Sequence, residues 1–195
     1  VVTAVEVAAS LGIHKIRITG GEPLVKKNIV SICRRVAAVE GIREVCLTTN
    51  GVLLPRMARE LREAGVNRLN LSLDTLDPEK YAYITRIGKL DDALAGLEAA
   101  EKAGFTGTKI NAVLIGGINS TEINELVALT KDKEIDFRFI ELMPIGECSS
   151  WDKERFIPGQ TVLDAVPELV EDGMNGVSRM YRVPGWKGRV GLIDP

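Results

Sequence analysis

Five runs of branched and apolar residues, each tied to the next by a stretch with helical periodicity, constrain this chain more than anything else in it. The strand-like runs cover 15–19, 44–50, 68–74, 108–115 and 137–143. Helical stretches cover 3–11, about 28–39, the segment that begins near Pro55, the one opened by Asp77-Pro78, the one marked by Leu90, Leu94 and Leu97, and 119–131. Strands separated by helices imply crossover connections, so they form a parallel sheet with helices packed outside. An open doubly wound sheet and a closed or partly closed barrel both satisfy this pattern. The punctuation agrees with it. Gly12, Gly65 and Gly104 fall just past helix ends, Pro55 lies in a first turn, and Asn119 with Glu122 three residues on reads as a capping box.

The first of these units carries the segment Lys15-Ile16-Arg17-Ile18-Thr19-Gly20-Gly21-Glu22-Pro23-Leu24. A double glycine leaves the backbone bare, so a ligand can come close to it. Glu22-Pro23 suits the first turn of a helix, where proline loses no hydrogen bond and an acid meets the positive end of the dipole. An ordinary strand-to-helix turn accounts for these ten residues equally well. The glycines do not follow G-x-G-x-x-G, which leaves a dinucleotide fold little support.

Alternation along the strands sorts the side chains into two faces. Ile16 and Ile18, Val45 and Leu47, Leu69, Leu71 and Leu73, and Ile110 and Ala112 fall on one side. Arg17 and Thr19, Cys46, Thr48 and Asn50, Asn70, Ser72 and Asp74, and Lys109 and Asn111 fall on the other. Outer helices cover the apolar face, so the polar one points inward. A barrel that serves only as a scaffold fills its interior with Val, Ile and Leu. Buried polar groups without partners are costly, so this many on one face point to a small-molecule site at the carboxyl ends of parallel strands. Singly, each residue keeps a plainer alternative. Arg17 can neutralise an inward carboxylate such as Asp74. Lys109 suits an ion pair, a phosphate or a Schiff base. Met143 suits a core, Thr48-Thr49-Asn50 suits strand-end turn chemistry, and Ser72 and Asp74 have no nearby histidine for a triad. His14, the only histidine, suits a surface or packing role.

Composition narrows the function classes. The chain has 195 residues, 45% of them hydrophobic, enough for the core of one soluble domain. A net charge of −2 with no basic stripe argues against a nucleic-acid surface. No apolar run is long enough to span a membrane and no signal peptide is recognisable. Cys33, Cys46 and Cys148 are too few and too scattered for a disulfide framework and lack metal-ligand spacing, which fits a reducing, cytoplasmic setting. Beyond about residue 145 the character changes. Tyr181-Arg182-Val183 and Arg189-Val190-Gly191-Leu192 read as a hairpin across Pro184-Gly185.

Thr19-Gly20-Gly21-Glu22-Pro23, then Thr48-Thr49-Asn50-Gly51, then Asn70-Leu71-Ser72-Leu73-Asp74 resemble the radical S-adenosylmethionine (SAM) superfamily. Arg17, Lys109-Ile110-Asn111 and Arg138-Phe139-Ile140-Glu141-Leu142-Met143-Pro144-Ile145-Gly146 narrow the resemblance to its GTP 3′,8-cyclase family, which acts in molybdenum-cofactor biosynthesis. The resemblance covers essentially the whole chain. It implies an α/β fold, a partial TIM-type β/α barrel over 1–144 followed by a C-terminal extension over 145–195. It implies a lyase that uses a 5′-deoxyadenosyl radical to abstract a hydrogen from the ribose of GTP and close the ring onto C8 of guanine. Residue by residue, it implies that Gly20, Gly21, Glu22, Ser72 and Met143 serve SAM and that Arg17, Thr48 and Lys109 serve GTP. An external electron donor and two 4Fe–4S clusters belong to the family as well. Neither the CxxxCxxC motif of the first cluster nor the cysteine set of the second is present here. The segment 190–195 resembles the one just before that second set, so the chain is expected to be cut at both ends and inactive alone. Neither metal ligands nor catalytic residues are assigned on it. Another radical SAM substrate and a non-catalytic nucleotide-binding remnant stay open as alternatives, as does oligomeric state, a homodimer included.

Overall fold

The computed structural model describes residues 1–194, with Glu147 described by its backbone alone. Two compact units make up the chain, one of residues 1–72 and 91–108, the other of 73–90 and 109 onward.

The first unit begins with helix α1 (Val2–Ser10), which Gly12 at φ +87° ends, and strand β1 (Lys15–Ile18). Helix α2 (Ile29–Ala37) buries Ile29, Cys33 and Val36, spaced one helical turn apart. Strand β2 (Glu44–Thr49) follows, then helix α3 (Leu54–Glu63) with Pro55 in its first turn and Leu54, Ala58 and Leu61 buried. Strand β3 (Arg68–Ser72) and helix α5 (Leu90–Lys102) complete the unit. β1, β2 and β3 lie side by side and parallel, with Arg17 opposite Cys46, Cys46 opposite Arg68, and Thr48 opposite Asn70. The face carrying Val45, Leu47, Leu69 and Leu71 is buried, none of the four more than 3% exposed. α5 joins this unit across a gap in sequence because Gly96 meets the turn after β2. A Cβ on Gly96 would lie 2.1 Å from the carbonyl oxygen of Gly51, so only glycine permits the approach.

The second unit holds helix α4 (Pro78–Thr85), between β3 and α5 in the chain. Asp77 caps α4 by accepting hydrogen bonds from the Glu79 and Lys80 N–H groups at 2.8 and 3.1 Å. Strand β4 (Thr108–Leu114), helix α6 (Ile123–Ala128) and strand β5 (Ile135–Glu141) continue the alternation. After helix α7 (Gln160–Ala165) come three strands, β6 (Val170–Asn175), β7 (Ser178–Arg182) and β8 (Arg189–Ile193). Their order in the sheet is β4-β5-β8-β7-β6. β7 and β8 form the antiparallel hairpin read from sequence, with Tyr181 opposite Val190. The sequence did not announce β6, nor that β8 runs parallel to β5 with Phe137 opposite Val190. Asp136 fixes that second pairing by taking two hydrogen bonds from Arg189, at 3.0 and 3.1 Å.

Three local expectations are corrected. Glu22-Pro23 opens only a three-residue 3-10 turn, Pro23–Val25, and α2 waits until Ile29. Asn119 and Glu122 form no capping box. The Asn119 carboxamide donates to the Asp74 and Val113 carbonyls at 2.7 and 2.8 Å and accepts from the Ile115 N–H at 2.8 Å. Glu122 instead takes the Thr75 hydroxyl, the Leu76 N–H and the Lys80 ammonium, at 2.7, 2.8 and 2.6 Å. Local spacing suggested a cap, but both side chains found better donors and acceptors on a distant loop. β3 and β5 also end early, at Ser72 and Glu141, so Asp74 and Met143 lie on the loops beyond them.

Candidate functional site

The polar face of the first unit is built in rows. Arg17, Cys46 and Arg68 occupy one level, Thr48 and Asn70 the next, and Ser72 lies two residues beyond Asn70 on the same face. Arg17 is exposed and makes no ion pair among the described residues, so its plainer reading as a neutraliser of a carboxylate has no support. Arg68 differs: it pairs with Glu44, which Lys15 also reaches at 3.2 Å. The Cys46 thiol donates to Glu44 at 3.1 Å. Burial works to raise the Glu44 pKa, but the hydrogen bonds from Cys46 and Lys15 and the charges of Arg68 and Lys15 outweigh it and hold the carboxyl below its ordinary value. Thr48 is half-buried and Ser72 exposed. Asn70 is 2% exposed, and among the described residues nothing donates to its Oδ1. Leaving a buried acceptor unpaired costs about 1–3 kcal/mol.

Beside this face the chain leaves β1 through Gly20 and Gly21. Neither adopts positive φ, so the turn itself does not demand glycine. A Cβ built on either meets nothing within 4 Å. What the two glycines keep is open space over bare backbone. Glu22 then anchors the loop, because its carboxylate accepts from the Leu24 N–H at 2.9 Å, the Thr49 hydroxyl at 2.7 Å and the Asn50 N–H at 2.8 Å. The acid therefore locks the end of β1 to the end of β2.

In the second unit, Lys109 is 6% exposed near the start of β4. Asp74 accepts a hydrogen bond from the Val113 N–H at 2.8 Å, and burial raises its pKa despite that bond. Arg138 is buried on β5, beneath a site where a Cβ on Gly191 would come within 3.0 Å of its Cγ. Met143 is 43% exposed, against the ordinary expectation of a core methionine. A cavity of about 580 Å³, lined by Tyr83, Arg86, Ile115, Trp151 and Arg155 among others, includes none of the residues singled out from sequence. His14 is exposed, its Nδ1 2.9 Å from the Gly41 carbonyl, in keeping with a surface role.

Sequence reasoning placed Asn70 and Asn111 on the polar face without giving either a role. Their alternation was visible, but the unpaired Oδ1 on each depends on neighbours that only the fold supplies.

The residues present do not fit an iron–sulfur cluster. Cys33 and Cys46 are buried on α2 and β2, and no group of three or more Cys, His, Asp or Glu suited to a metal occurs among the described residues. Burial pushes the Cys33 thiol up to about 11, away from the thiolate form a metal needs. An adenosyl cofactor fits the first unit better, since the bare Gly20-Gly21 backbone and the exposed Ser72 leave room and a polar contact for one.

The radical SAM superfamily model matches residues 1–130, two-thirds of the sequence, and the chain belongs to that superfamily. Its particular relatives are cyclases. It is 52% identical over 189 residues to the GTP 3′,8-cyclase of Peptoclostridium acidaminophilum, covering 95% of this chain and 58% of that protein. It is 47% identical over 192 residues to the GTP 3′,8-cyclase of Geobacter sulfurreducens, covering 95% of this chain and 59% of that one. The chain thus spans somewhat under two-thirds of these relatives. Among solved structures, a domain of the pyruvate-formate lyase-activating enzyme from Bacteroides vulgatus matches with a TM-score of 0.60 at 16% identity, over 90% of this chain and 98% of that one. Coproporphyrinogen III oxidase from Escherichia coli, a radical SAM enzyme, matches with a TM-score of 0.58 at 16% identity, over 99% of this chain and 55% of that one. The fold class is α/β of the radical SAM type, in keeping with the partial β/α barrel that the sequence resemblance implies. No helix among the described residues is long and apolar enough to cross a membrane.

Proposed function

We propose that these 195 residues are part of a radical SAM GTP 3′,8-cyclase, which converts GTP to (8S)-3′,8-cyclo-7,8-dihydroguanosine 5′-triphosphate in molybdenum-cofactor biosynthesis. One observation carries the reading: Arg17, without an ion pair among the described residues, shares a sheet face with Thr48 and Ser72 beside a double glycine that opens onto free space. Arg17 and Lys109 are cations suited to a triphosphate, and Thr48 adds a neutral hydroxyl. Gly20 and Gly21 let the cofactor lie against backbone, Ser72 offers it a hydroxyl, and Met143 offers a soft apolar contact. Glu22 acts by holding the loop, since protein donors already engage its carboxylate. SAM, when bound, supplies the 5′-deoxyadenosyl radical that takes a hydrogen from the ribose of GTP. The protein's share is to position both substrates and exclude water. An external electron donor, a cytoplasmic setting and a division into a barrel of 1–144 and an extension of 145–195 belong to the same reading.

Two variants in the longer protein test the division of labour. Lys109→Ala removes one phosphate-directed cation, worth about 1.5–3 kcal/mol, or roughly 10- to 150-fold in GTP affinity. Cyclised product falls while slow uncoupled SAM cleavage persists. Gly21→Val fills the space above the backbone, so both products fall together. Measuring 5′-deoxyadenosine and cyclised product side by side decides it. Equal loss of SAM cleavage in the two variants, with both folded, would show that Lys109 does not serve GTP.

A further inference from the structure

We infer that Asn70 is a further positioning residue for substrate, its Oδ1 accepting a hydrogen bond from a hydroxyl or amine donor of a bound nucleoside; this rests on the reading proposed above. Asn70 lies on β3 between Leu69 and Leu71, which point to the opposite, helix-covered face. Its Cα partner on β2 is Thr48, and Ser72 follows on the same face. The side chain thus stands between a residue matched to GTP and one matched to SAM. Two neighbours show polar groups that the fold does serve. Asn67 Oδ1, three residues earlier, accepts from the Val45 N–H at 2.7 Å, and the Thr49 hydroxyl donates to Glu22. Among the described residues Asn70 Oδ1 has no donor, though the residue is almost fully buried. Arg68 Nε is also unpartnered on this face, but the same guanidinium is held by Glu44.

The chemistry of the missing partner follows from the atom. An amide oxygen only accepts, so phosphate and carboxylate oxygens cannot satisfy it. Arg17 is the group on this face suited to the anionic part of a nucleotide. Sugar hydroxyls and base amines remain, and both GTP and SAM carry them. Because a carboxamide does not titrate, it contributes orientation and no proton transfer.

The test opposes stability to affinity. The longer protein and its Asn70→Leu variant are each unfolded in urea without ligand, then titrated calorimetrically with GTP and, separately, with SAM. Leucine keeps the branched outline of the side chain, with bulkier methyls, and has no unpaired acceptor, so the variant is expected to unfold at the same or a higher urea concentration. Affinity for one of the two ligands is expected to fall tenfold or more, and the arm that falls identifies whose donor Asn70 holds. Asn70→Ala removes the same acceptor without bulk and gives the binding readout if leucine does not fit. A folded variant that binds both ligands as well as the parent chain overturns the inference and leaves the cyclase reading standing. A longer parent protein that binds neither ligand overturns that reading and the inference with it.

Discussion

At the scale of single residues, Glu22 is the most instructive. Its two oxygens collect three donors from three different positions, two of them 27 and 28 residues away. Hydrogen bonds to an ionised group are each worth about 1.5–3 kcal/mol, and they share one carboxylate here. Glu22→Ala is therefore expected to lower stability by about 2–4 kcal/mol, read from the urea midpoint, and Glu22→Gln by less because its amide keeps one acceptor. Gly96 gives the complementary case, where the side chain that is missing matters. Alanine is normally favoured over glycine inside a helix by about 1 kcal/mol. Here a Cβ would collide with the Gly51 carbonyl oxygen, and overpacking of that kind costs about 1–3 kcal/mol. Gly96→Ala is expected to destabilise despite the better helix former, and a rise in the urea midpoint would show that α5 can shift away freely.

At the scale of elements, two acids in the second unit set opposite pH dependences. Glu122 is partly desolvated, which works against its charge, yet Lys80, Thr75 and the Leu76 N–H hold its pKa below the ordinary value. A lowered folded pKa means the unfolded chain binds more protons in the acid range. Its contribution is complete above the unfolded value of about 4.3 and is lost as pH falls through the folded one. Asp74 is the reverse, raised by burial. It stabilises most fully below the unfolded value of about 3.9, and that stability is lost as pH rises through the folded value. At pH 7 Asp74→Asn should therefore raise the thermal midpoint, because the Val113 N–H keeps an acceptor and no buried charge remains. Glu122→Gln should lower it. Both differences shrink toward pH 3, and a thermal-melt series from pH 3 to pH 8 checks the two signs together.

At the scale of the whole molecule, each unit carries its own share of the residues matched to ligands. Arg17, Gly20, Gly21, Glu22, Thr48 and Ser72 lie in the first, Lys109 and Met143 in the second. Among the described residues neither offers a cluster of thiolates, and 4Fe–4S clusters are held by cysteine sets. The 195 residues alone are therefore expected to release no 5′-deoxyadenosine from SAM after anaerobic iron and sulfide reconstitution with a reductant. Chromatographic detection of that product would show that Cys33, Cys46 and Cys148 can rearrange into a ligand set.

Strand and helix order, the polar face of β1 to β3, the turns at Pro55 and Asp77-Pro78 and the β7–β8 hairpin were legible in the sequence. They follow from periodicity and from the backbone limits of glycine and proline, which act over a few residues. The candidate site residues came from motif resemblance alone, and the fold spreads them along their strands, with Ser72 at the end of β3, Lys109 near the start of β4 and Met143 on the loop after β5. Tertiary structure alone decided what the polar side chains bond to. Asn119 and Glu122 have the spacing of a cap, but bonds to Asp74, Thr75 and Lys80 claimed them, and no local pattern registers a partner more than 40 residues away. The parallel pairing of β8 with β5 was likewise invisible, since strand neighbours across 50 residues are chosen by packing. Asn70 shows the limit most plainly: the sequence marks it as inward and polar, and only the fold reveals that no described residue donates to its oxygen.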